Sequence, residues 1–282
     1  MHIELSGLTH PKARTLVLSA GLGGLGSFWL PQMNDLRQKY RVVTYDQRGT
    51  GRSPDKLPEG YSMADMAAEL ATELAAAGIE RYDVIGHALG GMVAMQLALD
   101  YPQRVSRLVI VNGWLRLNAH TRRCFSVRQA LLNVSVEDYV RAQPLFLYPA
   151  DWLAENQARI EAEDALHAAH FQGTENLLLR LNALMACDYS QLASHITQPV
   201  LVICAQDDLL VPWPCSQALY EALPQAWLEK MPWGGHAMSV TDSALFNQLL
   251  VAWLEETSPV ATQNQPSPTV QPCPVSFVAR TL

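Results

Sequence analysis

The chain has 282 residues, of which 49% are hydrophobic and 17% charged, with a formal net charge of −7. This apolar content supplies a sizeable core and excludes global disorder. The acidic balance argues against nucleic-acid binding. Five cysteines without CxxC or zinc-ligand spacing indicate reduced thiols in the cytoplasm. We find neither a signal-peptide pattern nor a run of about 18 apolar residues, and therefore expect a cytoplasmic protein without membrane contact.

Short apolar runs along the chain predict strands. They cover residues 14–20, 40–46, 82–85, 107–112, 199–205 and 226–231. Helical periodicity follows at 62–77, 92–99 and 242–255, and Ser62 with Asp65 three residues later is close to a capping box. Strand and helix alternate in this order, which favours an α/β fold with a doubly wound, mostly parallel sheet.

A purely helical pattern replaces this alternation between residues 113 and 194. It predicts helices at 118–132, 136–143, 151–171 and 176–185. An all-helical insertion in an α/β frame usually covers the carboxyl ends of the strands, where ligands bind. We therefore divide the chain into a core (1–112 and 195–256), a cap (113–194) and a tail (257–282). The Ser-, Thr-, Gln- and Pro-rich tail is predicted to be flexible, with partner binding as the alternative.

The sequence VIGHALGG at 84–91 ends a predicted strand and begins a helix. Its glycines at 86 and 90 flank Ala88 at the spacing of a nucleophile elbow, a tight turn that exposes its central side chain. That central residue is normally a nucleophile, but the methyl group of Ala88 cannot attack a substrate. The sequence thus predicts the frame of a nucleophile site without the nucleophile.

The run GLGGLG at 21–26 follows the first predicted strand. It satisfies the bare GxGxxG spacing of a dinucleotide site, and Asp46 stands near the place of the acidic residue of such a site. However, a glycine-punctuated loop follows Asp46 where a crossover helix would be needed, and Trp29 stands where hydrolases place an aromatic residue beside their oxyanion loop. An oxyanion loop is the favoured interpretation, and a nucleotide site the weaker alternative.

An acid and a histidine follow the last two predicted strands. Asp208 lies after the run at 199–205, and His236 follows two glycines after the run at 226–231. The order elbow, acid, histidine is that of α/β-hydrolases. His236 is the candidate general base, and Asp208 would hold its tautomer and stabilise the imidazolium. Asp207 is the alternative acid, but the spacing to Pro212 favours Asp208 and we expect Asp207 to be solvated.

Seven segments between residues 16 and 254 closely resemble the α/β-hydrolases of the Rut pyrimidine-utilisation pathway. They are SAGLGGLGSFWLPQ, VVTYDQRGTGRSP, VIGHALGG, NGWLRLNAHTRRCF, AQPLFLYPADW, CAQDDLLVP and GGHA. The resemblance covers the chain except the tail. It implies hydrolysis of a carbamate or an aminoacrylate in uracil catabolism, at a C–N bond other than a peptide bond. It also implies an alanine at position 88 that need not be engineered, an oxyanion hole formed by the backbone N–H groups of Leu22 and Leu89, and no metal or cofactor.

His120, Arg122 and Arg123 open the predicted cap. We predict that they bind the small substrate anion, because arginine forks suit carboxylates; a solvated helix face is the alternative.

For the reaction, we expect His236 to activate a water, since N–H donors and an imidazole around Ala88 form a site polar enough to order one. An inactive hydrolase that binds a small molecule and a serine esterase with a mutated nucleophile remain alternatives. The oligomeric state is open between monomer and homodimer.

Four further residues receive structural interpretations. Arg48 is expected to hold loops behind the site, and Cys124 and Cys204 to behave as buried apolar side chains. His87, beside the elbow, is either a packing or gating residue or a reactive one.

Overall fold

The computed structural model describes residues 1–169, 171 and 173–256, so the predicted tail lies outside the described residues. Its strands are β1 (His2–Gly7), β2 (Thr15–Ser19), β3 (Arg41–Asp46), β4 (Tyr82–His87), β5 (Val105–Val111), β6 (Val200–Ala205) and β7 (Ala226–Met231). They form one seven-stranded sheet in the order β1-β3-β2-β4-β5-β6-β7. Strand β1 runs antiparallel to β3, and the other neighbours are parallel. The predicted doubly wound, mostly parallel sheet is confirmed.

Eleven α-helices accompany the sheet within the described residues. They are α1 (Leu30–Arg37), α2 (Met63–Ala76), α3 (Leu89–Asp100), α4 (Ala119–Val134), α5 (Val136–Leu147), α6 (Ala150–Glu155), α7 (Gln157–Ala169), α8 (Thr174–Ala186), α9 (Pro214–Ala222), α10 (Met238–Thr241) and α11 (Ser243–Glu256). Each of these helices is too short or too polar to traverse a lipid bilayer. We refer to α4–α8 as the cap helices; the division into core and cap stays a prediction.

Local hydrogen bonding sets the ends of two predicted helices. The predicted capping box at the start of α2 is confirmed, because Ser62 Oγ accepts the N–H of Asp65 and Asp65 Oδ2 accepts the N–H of Ser62. The single helix predicted over 151–171 is wrong. It is interrupted at Asn156, where the backbone turns to φ −110° and the side-chain amide donates to the carbonyl of Trp152 at 2.8 Å. An asparagine that bonds to nearby backbone competes in this way with helix continuation.

Neighbouring residues of the central strands point to opposite faces of the sheet, as the pleat requires. Val17 and Val84 join one apolar cluster with α2, α3 and the cap helices, whereas Leu16 and Ile85 join another with α1 and α11. All four are fully buried. Burial of one such side chain stabilises the fold by about 1.5–3 kcal/mol. This two-sided burial explains why the strands are continuous apolar runs in the sequence.

The order in which strands are added to the sheet reverses between the parallel strands β2 and β4. These strands are neighbours, with Ser19 paired to Gly86, but β2 leads to β3 on one side and β4 leads to β5 on the other. Ligands of doubly wound sheets bind outside the carboxyl ends of the strands at such a switch point. The glycine run at 21–26 and the elbow therefore emerge side by side at the expected binding crevice.

The carboxylate of Asp46 at the end of β3 is buried and fully engaged by protein donors. It accepts the backbone N–H of Gly26 and both the N–H and Nε of Arg52, each at 3.0 Å. Burial alone would raise the pKa of Asp46, but the hydrogen bonds from Arg52 and Gly26 outweigh it and hold that pKa below 3.8. Both oxygens already accept protein donors and the side chain is buried, which argues against the nucleotide interpretation of the glycine run.

We expect Asp46→Asn to lower the free energy of unfolding at neutral pH by about 2 kcal/mol, because charge-assisted hydrogen bonds are lost. The folded pKa of Asp46 lies below its unfolded value of 3.8. Its stabilisation is therefore present above 3.8 and is lost as the pH falls through the folded pKa. In urea unfolding, the difference in unfolding free energy between Asp46→Asn and the native protein should be smaller at about pH 3 than at about pH 7. The exposed Asp55→Asn in the same loop is the control, and a difference independent of pH would contradict the assignment.

Candidate active site

The turn between β4 and α3 has the backbone of a nucleophile elbow. Ala88 adopts φ 48° and ψ −110°, a conformation that L-residues rarely take. A Cβ atom on Gly86 would lie 2.2 Å from the carbonyl oxygen of Gly90, and one on Gly90 would lie 2.1 Å from the carbonyl oxygen of Ser19. Only glycine fits at either position, so the packing forces the central residue outward. The strain of such a backbone is thus retained around a side chain with no nucleophilic atom.

Two candidate oxyanion donors lie at the ends of the adjacent strands β2 and β4. The turn after β2 is closed by the N–H of Gly24, which donates to the carbonyl of Gly21 at 3.0 Å. In a turn closed in this way, the N–H of the intervening Leu22 has no partner within the turn. Leu89 is the first residue of α3, where a helical N–H lacks an intrahelical acceptor and carries part of the positive end of the helix dipole.

The candidate base and acid form a buried pair. His236 Nδ1 lies 2.8 Å from Asp208 Oδ2, and both side chains are almost fully shielded from solvent. The other carboxylate oxygen, Oδ1, accepts the N–H groups of Leu210 and Val211 at 2.8 and 2.9 Å. Since a carboxylate accepts, His236 Nδ1 must carry the hydrogen, which leaves the Nε2 lone pair to take a proton. The structure thus brings the two predicted residues into contact, and their catalytic roles stay a prediction.

Asp207, the alternative acid, is exposed as expected but also supports the turn before His236. Its carboxylate accepts the N–H groups of Gly234 and Gly235, at 3.3 and 2.9 Å. Asp208, rather than Asp207, contacts the imidazole. Two adjacent aspartates therefore position one histidine, the first through its backbone turn and the second through its ring.

The backbone carbonyl of His236 receives two further donors from the core. His87 Nε2 donates to it at 2.8 Å and Asn112 Nδ2 at 2.7 Å. Asn112 is not among the residues that the sequence predicts for the site. Its signal is an asparagine directly after a buried strand, where it adopts φ 50°, a conformation that asparagine tolerates. His87 stacks on Phe28 and lies 4.7 Å, centroid to centroid, from the ring of His236. His87 thus packs under the site, as one of its predicted alternatives proposed.

The arginines predicted to bind substrate do not lie with this pair. Arg122 and Arg123 are exposed on α4, and His120, also exposed, bonds to the carbonyl of Leu209. The buried positions of α4 follow helical spacing and lie on its other face, at Thr121, Cys124, Phe125, Arg128 and Leu132. The structure therefore favours the alternative of a solvated face, and the interior arginine of this helix is Arg128.

The remaining structural expectations agree with the contacts. Arg48 pairs with Glu69 at 2.8 Å, and Glu69 also accepts the hydroxyl of Tyr61 at 2.6 Å. Cys124 and Cys204 are buried and free. In the part of the chain that the structure describes, no group of three His, Cys, Asp or Glu side chains is arranged to hold a metal ion.

An open cavity of about 590 Å³ lies beside the site, between α5–α6 and the loops after β6 and β7. Asp207, Leu209 and Trp233 line it, but His236, Asp208 and Ala88 do not. We place the chemistry at the buried pair and not in this groove, because only the pair combines an imidazole, an acid and backbone donors.

A parallel sheet with an elbow, a glycine turn, an acid and a histidine at its carboxyl edge defines an α/β-hydrolase, and the α/β-hydrolase fold family matches residues 14–143. A protein of Yersinia enterocolitica with the provisional name carbamate hydrolase RutD is 59% identical over 255 residues, which cover 90% of this chain and 92% of that protein. The protein of the same name from Escherichia coli K12 is 59% identical over 252 residues, covering 89% and 95%. The chain therefore belongs to the RutD family of α/β-hydrolases.

Solved structures of lower identity share the fold. The enol-lactonase from Burkholderia xenovorans LB400 superposes with a TM-score of 0.82 at 23% identity, covering 90% of this chain and 96% of that one. A hydrolase from Pseudomonas aeruginosa PA01 gives 0.80 at 24% identity, covering 89% and 93%. These likenesses extend to the fold alone.

The pair formed by His87 and His236 generates a prediction on stability. Burial and the neighbouring His236 lower the pKa of His87 from 6.5 to about 3. Below pH 6.5 the unfolded chain therefore takes up a proton at His87 that the folded chain does not take up. As a result, the free energy of unfolding decreases by roughly 1.4 kcal/mol for each unit by which the pH falls below 6.5. We expect His87→Gln to remove this slope between about pH 7.5 and about pH 5.5 in urea unfolding. An equal slope in both proteins would show that His87 is protonated in the fold.

Proposed function

We propose that this protein hydrolyses the C–N bond of a small carbamate or aminoacrylate, in pyrimidine (uracil) catabolism in the cytoplasm, by attack of a water that His236 deprotonates. The names of its RutD relatives, at 59% identity, support the carbamate chemistry. The observation that carries the mechanism is a buried imidazole–carboxylate pair in a frame whose nucleophile position holds Ala88.

The reaction begins with a water beside the methyl group of Ala88. His236 Nε2 takes its proton, and the oxygen forms a bond to the carbon that carries the nitrogen. Negative charge on the oxygen of a carbamate is stabilised by the N–H groups of Leu22 and Leu89. The imidazolium, stabilised by Asp208, returns the proton to the leaving nitrogen, and the C–N bond breaks.

Both candidate substrates release ammonia, and they differ in the second product. Carbamate and water give bicarbonate and ammonia. In an aminoacrylate, the water attacks the same carbon of the imine tautomer, and ammonia leaves an aldehyde. Both routes consume one water per ammonia and need no oxidant or reductant.

The absence of a nucleophilic side chain sets the scale of catalysis. Serine hydrolases that lose a member of their catalytic group retain about 10³- to 10⁴-fold acceleration over water, from the oxyanion hole and binding. This factor, to which the general base adds its own, suffices for a substrate that already breaks down unaided, as the family resemblance implies for carbamate. No acyl-enzyme forms on this route.

The pair His236 and Asp208 is tested by ammonia release above the uncatalysed rate. We expect His236→Ala and Asp208→Asn to lower kcat by about 10²- to 10⁴-fold, because general base catalysis supplies that factor. Asp207→Asn is the matched control. It alters the adjacent carboxylate and should cost far less, since its side chain contacts only the turn. Ammonia release that neither change slows, and that stays at the uncatalysed rate in the native protein and both variants, would favour the inactive binder.

Position 88 separates attack by water from attack by serine. Under the proposal, Ala88→Ser fills the place of the attacking water and lowers ammonia release by about tenfold or more. Ala88→Gly, which leaves that space open, should retain most of the activity. Faster ammonia release by Ala88→Ser, together with a burst of acyl-enzyme from an activated ester, would instead support the mutated serine esterase.

A further inference from the structure

Arg180 is a buried cation with no acidic partner among the described residues. Its side chain belongs to α8, the residue is 3% exposed, and Nε and Nη1 are buried without a hydrogen-bond partner. An uncompensated buried charge costs several kcal/mol in a protein interior. Such a buried cation is retained more readily where a ligand of opposite charge pairs with it.

The position of Arg180 is fixed by the residue one helical turn earlier. Asn176 accepts the N–H of Leu57 at 3.0 Å and donates to the carbonyl of Asp55 at 3.2 Å, which clamps α8 onto the loop after β3. Residues four apart share one face of a helix, so Arg180 also faces the core. A Cβ atom on Gly24 would lie 2.7 Å from Arg180 Nη1.

This contact places the guanidinium at the candidate oxyanion turn. Gly24 closes the turn that carries Leu22. At its other end, a Cβ atom on Gly21 would lie 2.9 Å from the ring of His87. The turn that carries Leu22 is thus close to the guanidinium at Gly24 and to the ring of His87 at Gly21.

The surroundings of Arg180 keep its side chain charged and leave that charge available to a ligand. Burial lowers the pKa of Arg180 to about 10, and the nearby hydroxyls of Tyr61 and Tyr139 counteract this only in part. The guanidinium is therefore still a cation at neutral pH. Glu69, which Tyr61 contacts, is already paired with Arg48.

The positive charge of the second buried arginine of the cap helices, Arg128, is stabilised in a different way. Arg128 lies over the rings of Phe125 and Phe146, at 5.6 and 5.9 Å from their centroids, and donates to the hydroxyl of Tyr139. Aromatic faces stabilise a cation in this geometry. Arg128 is thus a packing residue and a suitable control.

We infer that Arg180 binds the carboxylate of an aminoacrylate substrate, which is separate from the carbon that reacts. A guanidinium fork matches a carboxylate with two parallel hydrogen bonds. With the acid group of an aminoacrylate held beside Gly24, the N–H groups of Leu22 and Leu89 stay free for the oxygen that water adds to the reacting carbon. This inference rests on the proposed function for the identity of the anion, but binding of the anion does not require turnover.

The test measures binding of propionate, an unreactive small carboxylate, to the full chain by isothermal titration calorimetry. We expect Arg180→Gln to weaken binding by about ten- to a hundredfold, since charge-assisted hydrogen bonds are lost. Arg180→Lys keeps the charge without the fork and should bind with intermediate affinity. Arg128→Gln and His236→Ala should bind propionate as the native protein does. The neutral propionamide should not distinguish Arg180→Gln from the native protein.

A thermal melt separates a ligand-binding role from a structural one. Without ligand, Arg180→Gln should unfold at the same temperature as the native protein or higher, because an unpaired buried charge is removed. A lower unfolding temperature with unchanged propionate binding would show that Arg180 is structural and overturn the inference. So would loss of binding in Arg128→Gln alone. Full ammonia release by His236→Ala would remove the proposed mechanism but leave the anion site standing.

Discussion

The close approach of three backbone segments at the elbow is the constraint on which the rest of the site depends. Gly86 meets Gly90, and Gly90 meets Ser19, at distances that leave no room for a Cβ atom. This packing joins the ends of β2 and β4 and fixes where α3 begins. It therefore sets the positions of the Leu22 and Leu89 N–H groups whatever residue stands at 88. The frame does not need its nucleophile in order to fold.

Four side chains hold the imidazole of His236 and the backbone around it. Asp208 fixes the ring, Asn112 and His87 fix the backbone carbonyl, and Asp207 fixes the preceding turn. A water has no covalent link to the protein, so its position depends on the atoms that bond to it. In the proposed reaction, a rigid imidazole would reduce the freedom of that water, which is the entropic part of its activation.

Sequence patterns predict the features that are repeated or local. The strands were found because two-sided burial makes them apolar throughout, and the start of α2 because Ser62 and Asp65 are close in sequence. β1 was missed because this exposed edge strand has no continuous apolar run. The roles of Asn112 and Arg180 depend on partners more than a hundred residues away, and no local pattern records these. Arg122 and Arg123 were favoured for their charge, although the spacing of Thr121, Cys124 and Phe125 already placed them on the other face.

The charges of the site are divided between the two parts of the chain. The core supplies an imidazole that can change its protonation state, together with backbone dipoles, whereas the cap helices supply a guanidinium that stays charged. A small anion between them would neutralise the cation and leave the imidazole free to accept a proton. If the cation lay next to His236 instead, it would disfavour the imidazolium that the reaction forms. Arg180 lies beside Gly24, whereas the ring of His236 contacts Asp208 and His87; under the proposed role, Arg180 would attract the acid group without opposing the charge on the base.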